Sequence, residues 1–183
     1  MIIAVVGMSG VGKSVAVGYL CDQLDAPLVY FGGLVVDEVA RRGQSGPEAE
    51  QAVRNELRAE HGMAAIAHLA LPEVRSKLEG AAHVVIDGVY SFPEEELLRA
   101  EFGDTFTTLA IHSPKAERYR RLAIRPHRPL TRAEVDQRDT DETTRMDKAR
   151  PIALADHHVV NAGAVEDLHA DLAEILAGLG LGA

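Results

Sequence analysis

Near the start of the chain, Gly7-Met8-Ser9-Gly10-Val11-Gly12-Lys13-Ser14 matches the pattern G-x-x-x-x-G-K-S/T. Three glycines, an ammonium and a hydroxyl at this spacing suit the capture of a polyphosphate. Glycine opens backbone conformations closed to other residues and lets amide groups come close to phosphate oxygens. Lys13 is placed to bridge β- and γ-phosphates, and the Ser14 hydroxyl to bind Mg²⁺. A helix starting here, with Val15 in its first turn, adds unpaired amides and the positive end of its dipole.

A second group is "HVVIDGVYSF", an apolar run that delivers Asp87 to the carboxyl end of a predicted strand. Ligands of open α/β sheets bind at that edge, and a carboxylate there can hold the magnesium, usually through water. A third group is cationic. Arg118, Arg121 and Arg125 recur at helical spacings and share a face that runs into a proline-bearing stretch with Arg128 and Arg132, while Arg138 lies on the helix predicted to return. Such a cluster suits the charge that builds on a transferring phosphoryl group.

These groups need a scaffold that gathers them. Five short β-branched runs begin at Ile2, Pro27, His83, Phe106 and His157, and amphipathic stretches separate them. That alternation predicts an α/β fold, a parallel sheet covered on both faces, with right-handed crossovers. Residues 32 to 82 carry helical periodicity without a strand signal, broken at "RRGQSGPEAE" and at Gly62, an excursion of the kind that covers a site. A smaller one, "IRPHRPLTRAE", separates a helix ending near Ala123 from one beginning near Thr131.

A length of 183 residues fits one domain, 1–183, without internal repeat or linker. The formal net charge of −9 argues against general nucleic-acid binding, so an anionic ligand must be held by a local cluster. No run approaches a membrane span, and no signal peptide is evident at Met1, which together predict a cytoplasmic protein with no membrane partner. The single cysteine, Cys21, reads as a buried small hydrophobe in a reducing compartment. Eight histidines include no H-E-x-x-H pair, and one cysteine excludes a thiolate zinc site. His127, between Pro126 and Arg128, is a weak phosphate candidate.

With "RNELRAEHGMAAIA", "VVIDGVYSFPEEELLRAEFGD", "LAIHSPKAERYRRLAIR", Arg138-Asp139 and "ALADHHVVNAGAVEDL" added to the loop, the chain resembles P-loop kinases of the adenylate kinase and dephospho-CoA kinase group. The likeness spans nearly the whole chain and is strongest to the archaeal-type adenylate-kinase-related proteins. It implies a three-layer P-loop NTPase fold with strand order 2-3-1-4-5, a helical acceptor-binding insert at about 32–80 and a lid at about 125–133. It further implies that Arg121 and Arg125 contact ATP phosphates at the near side of the lid and Arg138 from its far side. Asn161 to Gly163 would form part of the adenine pocket. No N-K-x-D guanine signature occurs, so ATP is preferred to GTP.

Two positions depart from the resemblance. Gly33 stands where the related kinases carry an acid after the second strand, and Asp37, four residues on, can share its helical face. Tyr90 replaces the arginine of a "DGxR" motif. The first change argues against a hydroxyl acceptor, which benefits from a base, and the second against a phosphate acceptor, which needs cations. Arg41, Arg42, Arg54 and Arg58 lie in the insert as alternative clamps, Arg58 fitting the family pattern best. The sequence therefore predicts an ATP- and Mg²⁺-dependent phosphotransferase, monomer or homodimer, acting on a nucleotide or nucleotide-like small molecule. An ATP-binding regulatory switch with an altered acceptor site stays open.

Overall fold

The computed structural model describes residues 1–126 and 128–181. Its centre is β1 (Ile2–Val6), five apolar residues of which every one is buried, as a strand covered on both faces requires. Alternation along it feeds two cores. Ile2, Ala4 and Val6 belong to one apolar cluster, whereas Ile3 and Val5 belong to the other.

After β1 come the glycine-rich loop and α1 (Lys13–Leu24), then β2 (Leu28–Tyr30). Three helices follow, α2 (Phe31–Arg41), α3 (Pro47–His61) and α4 (Ala65–Gly80), leading to β3 (Val84–Asp87). Phe31, expected at the end of the second strand, instead opens α2 and is buried in the first core. Then come α5 (Phe92–Phe102), β4 (Phe106–His112), α6 (Lys115–Ile124), α7 (Arg132–Thr144), α8 (Ala149–Ala153), β5 (His157–Val160) and α9 (Val165–Gly178).

All strands pair in parallel in the order β2-β3-β1-β4-β5, the five-stranded α/β arrangement that the resemblance implied. The first core packs residues of α2 to α5 and α8 on one face; α1 and α9 close the other through Leu20, Leu168, Leu172 and Leu176. Cys21 is only partly buried against this second core. Register fixes the functional edge. Val5 and Tyr30 both align with Asp87, so β1, β2 and β3 reach the glycine-rich loop at one level.

The edge strand β5 is tied down by a carboxylate. Asp156 accepts from the Thr108 backbone N–H at 2.8 Å, the Thr108 hydroxyl at 2.8 Å and the Arg99 guanidinium at 2.9 Å. Partial burial works to raise its pKa, but these donors hold it down, at about 2. Because the folded value is depressed, its stabilisation is complete above the unfolded pKa near 3.9 and is lost as pH falls towards 2. Asp156→Ala is expected to destabilise the fold by about 1–2 kcal/mol, a value moderated by the side chain's exposure. Urea unfolding at neutral pH measures the loss, which should shrink as the pH approaches 2.

Candidate active site

The loop holds its shape because it contains glycine where no side chain fits. At Gly12 (φ 101°) a Cβ would lie 2.3 Å from the Asn161 amide nitrogen, and at Gly7 (φ 149°) 2.5 Å from the Ile111 carbonyl oxygen. Gly12 gives way directly to α1, whose first turn has no side-chain cap and no acidic residue. The amides there remain available to an anion. Lys13 folds back over the loop, its ammonium donating to the carbonyls of Gly7 (2.9 Å) and Met8 (3.2 Å). Burial, with a further contribution from the Lys148 ammonium, pushes the Lys13 pKa down to about 7.

A cavity of about 370 Å³ opens in front of this turn. Ser9, Gly10, Gly12, Lys13, Ser14 and Val15 form its floor, and Tyr30, Asp87 and Tyr90 one side. Arg121, Leu122, Arg125, Arg138 and Lys148 complete the lining, with the Lys148 ammonium over the Tyr90 ring. Among the described residues, five cationic side chains thus line the cavity against one carboxylate, Asp87. Asp87 is largely buried, which raises its pKa against the pull of Lys13 and Lys148, and its Oδ1 has no hydrogen-bond partner. An orphaned carboxylate oxygen beside the exposed Ser14 hydroxyl is a donor pair that fits a hard divalent cation such as Mg²⁺.

The cationic wall is organised by acids outside the cavity. Arg118, expected on the shared face with Arg121 and Arg125, is buried and structural: it donates to the Ser9 carbonyl at 2.7 Å and forks onto Asp139. Arg121 reaches the Val11 carbonyl, the Ser113 hydroxyl and Asn161 at 3.2–3.3 Å. Arg125 donates to the Arg128 carbonyl, and Arg128 reaches Glu50 on α3 at 3.9 Å. Arg138 pairs with Glu142 at 2.8 Å.

Glu142 also accepts from the Ser9 hydroxyl at 3.2 Å and from the Lys148 ammonium at 2.7 Å. Although burial works to raise its pKa, Lys148 and Arg138 hold it at about 2, so it stays ionised. Sequence reasoning missed both Glu142 and Lys148. The only signal was a lysine whose surrounding "RMDKARP" shows no exposed amphipathic pattern.

Other anticipated residues are dispersed. Asn161 is buried with its amide donating to the Val11 carbonyl at 2.8 Å, bracing the loop, while Gly163 is exposed ahead of α9. Asp37 is exposed on α2 and Arg41 pairs with Glu38 on the same helix, so neither lines the cavity. The physical reason is the helix phase: α2 turns Phe31, Val35 and Val39 inward. The Tyr30 ring lies over Gly32 and Gly33, filling the space that an acid at 33 would use. Arg58 keeps its Nε and Nη2 buried without partners, near Glu94 and Tyr90. His127 lies outside the described residues.

Lys13 gives a pH signature. A bound polyphosphate stabilises its ammonium, so binding should take up protons at pH 7.5–8.5, on the order of one at most. Affinity should fall as pH rises beyond about 7. In the free protein the sign reverses: the unfolded chain binds the extra proton, so this group adds stability as pH climbs from about 7 towards 10.5. Calorimetry of ATP–Mg²⁺ in buffers of different ionisation enthalpy measures the uptake, which should diminish in Lys13→Met.

A profile for the AAA domain family matches residues 3–147. The chain is 35% identical to a UPF0200 protein of Thermococcus kodakarensis over 96% of each sequence. Among solved structures it is similar to shikimate kinase from Acinetobacter baumannii in complex with shikimate (TM-score 0.63, 19% identity, 98% and 94% coverage). It is also similar to a gluconokinase from Sinorhizobium meliloti (TM-score 0.58, 17% identity, 97% and 94% coverage). At those identities the structural likeness establishes the P-loop kinase-like fold. The relatives establish the family: the chain belongs to UPF0200 and carries its AAA domain across residues 3–147.

Proposed function

We propose that this protein is an ATP- and Mg²⁺-dependent phosphotransferase that passes the γ-phosphoryl group to a nucleotide or nucleotide-like small molecule. In that reading it works in the manner of a nucleoside monophosphate kinase or a dephospho-CoA kinase. The observation that carries the reading is the union, in one cavity, of an uncapped helix N-terminus, five cations and a single carboxylate with an unpartnered oxygen. The similarity of the fold to shikimate kinase and gluconokinase supports phosphoryl transfer to a small molecule.

Each residue then has a task. Backbone amides from Gly7 to Val15 cradle the phosphates, and Lys13 leaves the loop carbonyls to bridge the β- and γ-groups. Ser14 and Asp87 would hold Mg²⁺, which supplies charge neutralisation between the same phosphates. Arg121, Arg125 and Arg138 bear on the phosphoryl group as its charge spreads, with segment 125–133 closing as a lid. Asn161 and Gly163 border the adenine. The helices at 32–80 receive the acceptor, with Tyr90 and Arg58 closest to it and Asp37 and Arg41 peripheral.

A phosphate-bearing acceptor is favoured, because Asp87 is the one carboxylate lining the cavity and Arg58 offers unpaired donors behind Tyr90. An ionised phosphate oxygen attacks without a base, in line with the departing ADP.

Lys13→Ala is expected to abolish transfer and to weaken ATP binding by about tenfold or more while leaving the fold intact. Calorimetry and thermal unfolding check the two parts. The acceptor is found by coupling ADP release to a panel of nucleoside monophosphates, dephospho-CoA, shikimate and gluconate. Release should rise only with a nucleoside monophosphate, whose terminal phosphate is the acceptor; a response to dephospho-CoA, whose acceptor is a hydroxyl, would overturn the preference for a phosphate acceptor while keeping the kinase reading. Tight ATP binding with no consumption across the panel would favour the regulatory switch instead.

A further inference from the structure

Among the described residues Lys148 is the most deeply buried cation, its side chain only 1% exposed. A charged ammonium in such a place is unusual unless its neighbours demand it. Its partners are specific. Glu142 accepts one hydrogen bond at 2.7 Å, and the ring of Tyr90 lies 4.6 Å beneath the nitrogen. An ammonium has three donors, so one is accounted for by a carboxylate and the aromatic face accepts no conventional bond.

Its position within the cavity is equally defined. Lys148 lines the same walls as Asp87 and Tyr90, and Lys13 and Asp87 both feel its charge. Arg121, by contrast, is anchored to Asn161 on the other flank of the loop. Lys148 thus belongs to the end of the cavity where the unpartnered Asp87 oxygen lies. Two ammonium groups, Lys13 and Lys148, press on each other there, and burial lowers the pKa of both. Asp87 and Glu142 offset that repulsion in part, and an anion placed between the two ammonium groups would offset it further.

We propose that Lys148 is a catalytic residue of the transfer, its ammonium seated on Tyr90 by Glu142 and contacting the terminal phosphoryl group of bound ATP. This rests on the ATP-dependent transfer argued above. As an ionised acceptor oxygen bonds to the γ-phosphorus, the bond to the β,γ-bridging oxygen breaks and its electron pair leaves on ADP. The charge carried by the equatorial oxygens meanwhile faces Lys148. ADP lacks that group, so Lys148 discriminates between the two nucleotides.

The test compares ATP–Mg²⁺ and ADP–Mg²⁺ binding by calorimetry in the wild type, Lys148→Met and Lys148→Arg. In Lys148→Met, ATP affinity should fall about 10- to 100-fold with ADP affinity nearly unchanged. Lys148→Arg should keep much of the ATP preference. Equal weakening of both nucleotides, or no change in either, would overturn the proposal and leave Lys148 a structural partner of Glu142. If Lys148→Met fails to fold, Lys148→Gln, which keeps a donor towards Glu142 without the charge, is read in the same way. A wild type that binds neither nucleotide would instead sink the proposed function, a result distinct from retained binding without the ATP-specific loss.

Discussion

A convergence of positive charge on one cavity governs this molecule. The chain as a whole is acidic, with a formal net charge of −9, yet Lys13, Arg121, Arg125, Arg138 and Lys148 converge on one cavity with Asp87 as the sole lining carboxylate. Desolvated charges of one sign repel strongly in a medium less polar than water. The protein manages this by bonding: Lys13 turns to loop carbonyls, Arg121 to Asn161, and Arg138 and Lys148 to Glu142. On the reading proposed above, a polyphosphate would replace those partners, and the α1 amides would add donors that need no rearrangement.

The sheet makes the convergence possible. Because Val5 and Tyr30 both align with Asp87, the loop, the Asp87 carboxylate and the aromatic wall emerge from three neighbouring strands at one edge. On the far side, Arg118 binds the Ser9 carbonyl and Asp139 together, so α6 and α7 are hung on the loop itself. Binding groups from distant parts of the chain thus share one rigid reference. The capping box at Ser91, in which Glu94 accepts from the Tyr90 and Ser91 amides, fixes the aromatic wall to α5.

Much of this was legible in the sequence because it is local. The loop from Gly7 to Ser14, the strand that ends at Asp87 and the arginines at helical spacing each carry their meaning within a dozen residues, and the strand order followed from the resemblance. What could not be read depends on contacts across long stretches of chain. Glu142 meets Ser9 over 133 residues, and nothing near either position announces it. Lys148 looks like a surface lysine until α8 folds it onto Tyr90. Asp37 and Arg41 lie outside the cavity for the complementary reason: helical phase is decided by Phe31, Val35 and Val39 entering the core, not by the chemistry of the residues between them. Tyr90, where the resembling kinases carry an arginine, offers an aromatic platform on which a cation from elsewhere is placed.

The carboxylate of Glu142 has a thermodynamic corollary. Ser9, in the glycine-rich turn, and Arg138 and Lys148, which come from the last third of the chain, hold one and the same side chain. Whatever draws the two cations away alters the tension on the serine, and whatever moves the serine loosens the cations. If the cavity seats a nucleotide as proposed, its occupancy and the posture of α7 and α8 would by reciprocity report on one another. A neighbour that did no more than grip those helices would then dial the appetite for triphosphate without ever approaching it.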